Sequence, residues 1–571
     1  MKHFQHVNRP FGDTPNHPVI SRNRIGGLWA SDIAEFIYIA YESENESPIM
    51  SHFFCSQCKR WYAFWSSIGN VKCHLQCMHS VEEKHLEPSD ILHCLYCFIL
   101  TNGLPFRLIE DQYLSRLLHT QVSRQQLAKH CDAVAEIVDQ KISLQLQAFK
   151  YSIGVFDEWT DNAARPYVGV TLHGITESPD ESLDHHVMVI AHIPLYDLHI
   201  THQTLSAAIK KRFDQLEIAV PDTFITDGGS KCEPAVNDLF AEKRECWGHV
   251  LNLLLKDIHN ELRCRLPLVF EVQASHGKSS VFYNYMSEHE APRGTIPGYV
   301  ETRFYSMGKL FNTVHVMFDL INQYGEDTGH GELLPDSYRH YIECANSLLT
   351  TFKSVIKKLE SDRFGSISFV LPGLKMLQHA AEQVRFSYPE LFAAFDGSFI
   401  KHVDPILNHF DKKKDLIVAS LLNPSIHHPS FFTADEMILG FEAIRLELPK
   451  PPEAEIISQP IDWSNFSPSR NGDPIEVYKK ISENWVDDDA DLRDFWLINV
   501  KSQLKSMVPV AIKYLLPPST NTSSERLFSK ARNVLSLNRL SLSHERSSNA
   551  VICAANPDLT DAAITDILED Q

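Results

Sequence analysis

Between residues 151 and 226 the chain spells out an order of elements that few folds can accept. Tyr151 to Phe156 is a short apolar run without helical period, the pattern of a buried strand, and it ends in Asp157-Glu158-Trp159-Thr160. Tyr167 to Ile175 and His186 to Ile193 repeat the strand pattern, Thr204 to Leu216 carries apolar residues at helical spacing, and Thr223 to Thr226 is a fourth strand ending in Asp227-Gly228-Gly229. Three strands, a helix and a strand predict an open α/β sheet. Both Asp157 and Asp227 are then expected at the C-terminal ends of neighbouring strands, where such sheets place their sites.

That order is the order of an RNase H-like core, in which three antiparallel strands are joined by a crossover helix to a parallel fourth. A third acid lies about three hundred residues on. Pro517 and Pro518 end what precedes, Thr522 stands three residues before Glu525 as in a capping box, and Leu527, Phe528, Ala531, Val534 and Leu535 recur at helical spacing. Read locally, Glu525 is a cap of its own helix, and each Asp is a strand-end turn residue or helix N-cap. Read together, Asp157, Asp227 and Glu525 form a carboxylate cluster whose mutual repulsion a hard cation would relieve. Two Mg²⁺ ions in such a cluster can activate an attacking oxygen and stabilise a leaving one.

These residues resemble a known family, the hAT transposases. Asp157-Glu158-Trp159-Thr160 is similar to the first acid motif, Ile225-Thr226-Asp227-Gly228 to the second, Cys246-Trp247-Gly248-His249 to the C-x-x-H that follows it, and Ser524-Glu525-Arg526-Leu527-Phe528-Ser529 to the third-acid motif. Asp494-Phe495-Trp496, Tyr514-Leu515 and Pro517 fall where the family's C-terminal region has its aromatic-Trp, Y-L and Pro landmarks. Thr302-Arg303-Phe304-Tyr305-Ser306 departs from the family's T-R-W-x-S, keeping an aromatic and losing the Trp. The resemblance implies DNA cleavage and strand transfer using Mg²⁺ or Mn²⁺ held by Asp157, Asp227 and Glu525. It implies that Trp159, with Arg303 and Phe304, stacks on a flipped nucleotide, although core packing is the default for a Trp. Arg526 lies beside the third acid in the implied DNA path. Cys246 and His249, at a strand-to-helix junction, either orient the site, hold DNA or simply pack.

A separate motif precedes the sheet. Cys55, Cys58, His74 and His79 read C-x2-C-x15-H-x4-H among Trp61, Tyr62, Phe64 and Trp65, a spacing that suits tetrahedral Zn²⁺ and resembles a BED finger. Cys73 and Cys77 could compete as ligands. Cys94 and Cys97, in the apolar stretch Ile91 to Leu100, read as ordinary core.

Together these readings give an α/β multidomain chain, an RNase H-like core interrupted by a large helical insertion and preceded by a zinc finger and a helical segment. The boundaries are an N-terminal tail over 1–45, the finger over 46–85, a helical DNA-binding or dimerisation segment over 86–148, the core's first part over 149–258, the insertion with a Pro-rich linker over 259–485, and the core's last part with the dimerisation region over 486–571. Tyr341, Ala345, Leu348, Leu349, Phe352, Ile356 and Leu359 at helical spacing mark the insertion, and the prolines between Leu448 and Pro474 mark the linker.

Charge stands against a nucleic-acid partner. The chain carries 53 Lys and Arg against 73 Asp and Glu, a net charge of -20, and DNA affinity rests on basic groups neutralising phosphates. Any DNA path must be a local surface. Candidates are Lys210-Lys211-Arg212, Lys357-Lys358, Lys412-Lys413-Lys414 and the run Arg526, Lys530, Arg532 and Arg539, each equally readable as a solvated helix face. The 12 cysteines suit a reducing compartment, and the chain has neither a membrane-length apolar run nor an apolar leader at Met1. A nuclear location is expected. Phe495, Trp496, Leu497, Val500, Tyr514, Leu515, Leu527, Phe528 and Leu535 give the C-terminal region more apolar surface than a short segment needs, so a homodimer or larger assembly is expected. The rivals are a non-catalytic DNA-binding protein descended from a transposase, favoured by Phe304 and the acidic balance, and a plain RNase H-like nuclease, which leaves the finger and the C-terminal motif unexplained.

Overall fold

The computed structural model describes short strands within residues 37–63 and most of the chain from residue 88 onward, apart from 116–121, 196–199, 300–304, 427–430, 450–472, 484–491, 499–503, 536–542 and a few shorter gaps. The chain divides into two compact units, Met1–Leu92 and His93–Gln571. In the first, strands β1 (Ile37–Ile39), β2 (His52–Cys55) and β3 (Arg60–Ala63) form an antiparallel sheet in that order. Cys55 ends β2. Cys58, His74 and His79, with Cys73 and Cys77, lie outside the described residues.

The second unit is mixed α/β and mostly helical. Helices α1 (Pro88–Thr101), most of which belongs to this unit, and α2 (Arg124–Gln147) lead into a five-stranded sheet of β4 (Tyr151–Thr160), β5 (Pro166–Glu177), β6 (Leu183–Pro194), β7 (Thr223–Thr226) and β8 (Glu242–Glu245). The spatial order is β6-β5-β4-β7-β8; β4, β5 and β6 are antiparallel, while β7 and β8 run parallel to β4 and to each other. The crossover from β6 to β7 is α3 (His202–Gln215), whose N-cap Thr201 closes a capping box with Thr204 and whose Leu205, Ile209 and Phe213 are buried at the expected spacing. The fifth strand, polar along its length as Glu242-Lys243-Arg244-Glu245, carried no apolar signal and was legible only as a junction.

β8 feeds α4 (Trp247–Arg265), whose apolar stripe Val250, Leu251, Leu254, Leu255, Ile258 and Leu262 faces inward. A long helical tract follows, including α5 (Arg339–Leu359), which contains the periodic residues from Tyr341 to Leu359, and α6 (Val370–Val384). A single hydrophobic core runs from Ile175 and Leu183 of the sheet through α4, α5 and α6 to Trp496 and Leu515. The helical tract and the C-terminal region therefore share buried surface and are not held apart as separate cores. Residues 450–472, the Pro-rich segment, lie outside the described residues.

The chain returns to the sheet as α7 (Thr522–Val534), then α8 (His544–Ala555) and α9 (Pro557–Glu569). α7 lies on β4 and β5, α8 on β6 and α2, and α9 on α2. Arg546 and Asn549 of α8 bond Asp132 of α2, at 3.0 and 3.2 Å. Among the described residues no helix is long and apolar enough to cross a membrane.

Candidate functional site

Asp157 lies inside β4, three residues short of its end, and not at the strand terminus expected from the sequence. The strand runs on because β5 keeps pairing with it, Trp159 with Tyr167 and Thr160 with Pro166. On the other side β7 stops at Thr226. The parallel register pairs Gly154 with Phe224 and Val155 with Ile225; carried on by two residues, it sets Asp157 level with Asp227. The two acids therefore meet where β4 loses its parallel neighbour, a half-open spot at the sheet's carboxyl end.

Glu525 reaches them from α7. Thr522 is already the first helical residue, the N-cap is Asn521, and no side chain caps the helix. The capping box expected between Thr522 and Glu525 is thus not formed; Thr522 Oγ1 instead shares a hydrogen bond with Thr520 Oγ1, at 2.7 Å. The helix is fixed from below. Leu527, Phe528 and Ala531 are buried, each of the two larger side chains contributing roughly 1.5–3 kcal/mol. Ser523 Oγ lies 2.8 Å from Thr171 Oγ1 and 3.5 Å from His173 Nε2 in the buried interface with β5. Close approach requires Gly169, which pairs directly with Asp157: a Cβ there would stand 2.7 Å from Leu527 Cδ2 and 2.8 Å from Phe528 Cε1.

The loop ahead of α7 is pinned on three sides. Ser519 is fully buried, its Oγ donating to the carbonyl of Leu359 at the end of α5 (2.7 Å), while Trp247 N–H donates to its carbonyl (2.9 Å). Asn521, also buried, donates Nδ2–H to Asp157 Oδ2 at 2.8 Å and accepts from the Cys246 thiol at 3.0 Å. Cys246 is itself the N-cap of α4, its N–H bonded to Thr226 O. The N-terminal ends of α4 and α7, each carrying partial positive charge, thus converge beside Asp157. Sequence reading missed Asn521. A signal existed, since Asn is a favoured N-cap residue directly ahead of an apolar-periodic segment, but its reach to a distant strand had none.

Electrostatics tie the acids together. Burial holds the Asp157 carboxyl well above the usual carboxylate range, and Asp227 and then Glu525 push it further. Partial desolvation, with Glu360 nearby, also raises Glu525, though the residue keeps an exposed side. Asp227 Oδ1 accepts from Gly229 N–H at 2.9 Å and from the Cys232 thiol at 3.1 Å. Burial pushes the Cys246 thiol up to about 12, so it serves as a hydrogen-bond donor and not as a thiolate. The three acids are near enough to repel but do not close on one point: among the described residues, the only trio of ligand atoms within 4.8 Å of one another lies elsewhere. All three offer hard oxygen donors, the chemistry that Mg²⁺ or Mn²⁺ takes.

The other sequence-derived site residues divide. Trp159 is half-buried, stacked on Phe528 (5.6 Å between centroids, 14° between planes) and tilted against Tyr167 and His192. One indole face is therefore taken by α7. His249, half-buried in the first turn of α4, approaches Gly228 just after Asp227. Arg526 is exposed and donates to Glu360 O at 3.2 Å. Arg303 and Phe304 lie outside the described residues.

Several basic candidates are spent on neighbours. Arg212 holds Asp139 through two bonds, Lys412 pairs with Glu245, Lys413 with Glu436 and Lys414 with Asp411. Lys530 donates to Ala554 O at the end of α8. Lys210, Lys211 and Arg532 remain exposed. The expected apolar surplus of the C-terminal region is likewise used internally: Trp496, Leu497, Tyr514, Leu515, Leu527, Phe528 and Leu535 are all buried within the chain, so it gives no argument for a partner. Val500 lies outside the described residues.

No curated protein is a significant match to the chain. Residues 475–556, from the helix after the Pro-rich segment through α8, match the hAT family C-terminal dimerisation region, and this match supports membership of the hAT family, descent from a hAT transposase, and self-association.

Proposed function

We propose that the chain is a hAT-type DNA transposase that cuts transposon ends and joins them to target DNA, with Asp157, Asp227 and Glu525 as its catalytic acids. The observation that carries the reading is that Asp227 and Glu525 lie near enough to Asp157 to raise its pKa, two of the acids coming from a parallel strand pair and one from the helix that returns after the long helical tract. The strand order, with three antiparallel strands, a crossover helix and a parallel fourth, supports an RNase H-like core. The family match over 475–556, which contains Glu525, supports the third acid.

Mg²⁺ or Mn²⁺ held by the three carboxylates would supply the Lewis acid for phosphodiester cleavage and joining. The chain's own part is to keep that cluster assembled. Asn521 orients Asp157, the Asp227 turn holds the second carboxylate through Gly229 N–H, and Gly169 lets α7 carry Glu525 close to the sheet. Cys55, Cys58, His74 and His79 would hold a structural Zn²⁺ for end recognition, with Trp159, Arg303, Phe304, Arg526, Cys246 and His249 beside the DNA and the nucleus as the compartment. Asp157→Asn, Asp227→Asn and Glu525→Gln should each abolish Mg²⁺-dependent cleavage and strand transfer while DNA binding persists. The three losses should be similar and far from additive, as for residues acting as a unit. Robust cleavage by Glu525→Gln would remove the third acid from the site.

A second reading, a non-catalytic DNA-binding descendant, is favoured by the paired state of Lys412, Lys413 and Lys414, which leaves less basic surface for two DNA partners. DNA binding without cleavage at any Mg²⁺ or Mn²⁺ concentration would decide for it.

A further inference from the structure

Away from the acids, one set of ligating side chains is gathered from opposite ends of the larger unit. His93 and Cys97 stand one turn apart on α1, so both project from the same face. Asp561, in the first turns of α9, meets them. His93 Nε2 lies 2.8 Å from Asp561 Oδ1, and Cys97 Sγ donates to that same oxygen at 3.2 Å. These ligand atoms all lie within 4.8 Å of one another, and no other trio of His, Cys, Asp or Glu among the described residues does so. Asp561 falls beyond the matched dimerisation region. The sequence reading of Cys97 as ordinary core is corrected here, because its thiol faces Asp561 and is only half-buried.

We propose that His93, Cys97 and Asp561 form a binding site for a zinc-class divalent cation that ties α1 to α9. The donor set decides the ion. Mg²⁺ and Ca²⁺ take oxygen ligands, whereas one thiolate, one imidazole and one carboxylate suit Zn²⁺ in tetrahedral geometry with water as fourth ligand. Bonds of about 2.0–2.3 Å at tetrahedral angles set neighbouring ligand atoms about 3.3–3.6 Å apart. The observed separations to Oδ1 are a few tenths of an ångström shorter, as hydrogen bonds should be, and small side-chain rotations open them. His93 and Asp561 are 29% and 63% exposed, which leaves room for the ion's entry and for its water.

On binding, the Cys97 proton that now points at Asp561 leaves to solvent, the His93 Nε2 proton moves through solvent to Nδ1, the freed sulfur and Nε2 lone pairs bond the ion, and Oδ1 exchanges two hydrogen bonds for one metal bond. The consequence is mechanical. α9 and α8 pack on α2, and α8 on α7, so an ion clamping α9 to α1 secures the helices that buttress the one bearing Glu525.

The test uses Co²⁺ alone on the full chain with Cys55, Cys58, Cys73 and Cys77 changed to Ser, which removes the finger's thiolates. One equivalent of Co²⁺ should bind in tetrahedral geometry with a thiolate-to-cobalt charge-transfer band. Oxygen-only binding at the acid cluster gives no such band. Cys97→Ser should abolish it, Cys94→Ser should leave it, and Asp561→Asn should weaken binding by at least about 10–100-fold, the loss that removing even an outer partner causes. In the chain with its finger intact, His93→Ala should lower bound zinc by one equivalent. Absence of the band, a band that survives Cys97→Ser, or unchanged zinc in His93→Ala would overturn the proposal and leave the trio as a hydrogen-bonded helix contact.

Discussion

Replacing Asn521 by Asp tests the architecture of the acid cluster without changing its shape. The two side chains are isosteric, so no cavity forms, and the bond from the Cys246 thiol to Oδ1 survives. What changes is the atom facing Asp157 Oδ2 at 2.8 Å, from an N–H donor to a carboxylate oxygen. The lost bond to a charged acceptor contributes about 1.5–3 kcal/mol. Repulsion between charge centres about 4 Å apart, at an effective dielectric constant of about 20, adds up to about 4 kcal/mol. Binding one shared proton caps that sum, so metal-free protein at about pH 8 should lose about 2–4 kcal/mol.

The sign of the pH dependence follows. Burial, then Asp227 and Glu525, already raise the Asp157 pKa in the folded chain, and a second facing carboxylate raises it further. An acid whose folded pKa is raised costs stability above that pKa and none well below the unfolded value of about 3.9. The deficit should therefore be largest at about pH 8 and shrink toward about pH 4, where the introduced carboxyl, once protonated, can donate to Asp157 again. Asn521→Ala should cost about 1.5–3 kcal/mol with a flatter profile. Urea denaturation in a metal chelator at both pH values measures each. An Asn521→Asp variant as stable as the parent at the higher pH, or one whose deficit grows on acidification, would refute the contact between α7's N-cap and Asp157.

Asp157→Asn should stabilise metal-free protein at neutral pH by more than the roughly ±0.5 kcal/mol scatter of surface substitutions, since it removes a buried charge facing two acids; the gain should shrink as pH falls below the raised Asp157 pKa and vanish well below the unfolded value of about 3.9, and thermal unfolding across pH reads it. Gly169→Val should cost about 1–3 kcal/mol by overpacking Leu527 and Phe528, with loss of cleavage exceeding loss of DNA binding because α7 carries Glu525. Purified protein should contain finger zinc that Cys55→Ser removes; equal zinc in the two proteins would show that Cys55 is not a ligand.

Sequence alone determined the local elements and their order. Apolar runs without helical period gave β4 to β7, the 3.6 period gave α3, α5 and α7, and a family motif flagged Glu525, because these patterns record which side of each element is buried. It did not determine where β4 ends, since a strand stops where its neighbours stop, and only the pairing with β5 keeps it going past Asp157. Nor could it decide whether Glu525 capped its own helix: the helix starts at Thr522 with Asn521 as its N-cap, so the capping box does not form, and Asn521 bonds Asp157 across 364 positions. β8 was silent because its four residues are all charged. The apolar C-terminal residues read as a surplus because sequence shows hydrophobicity without showing its partner; that partner proved to be the long helical tract for Trp496, Leu497, Tyr514 and Leu515, and the sheet for Leu527 and Phe528. Cys97 looked like core for the same reason, until folding brought Asp561 to its thiol.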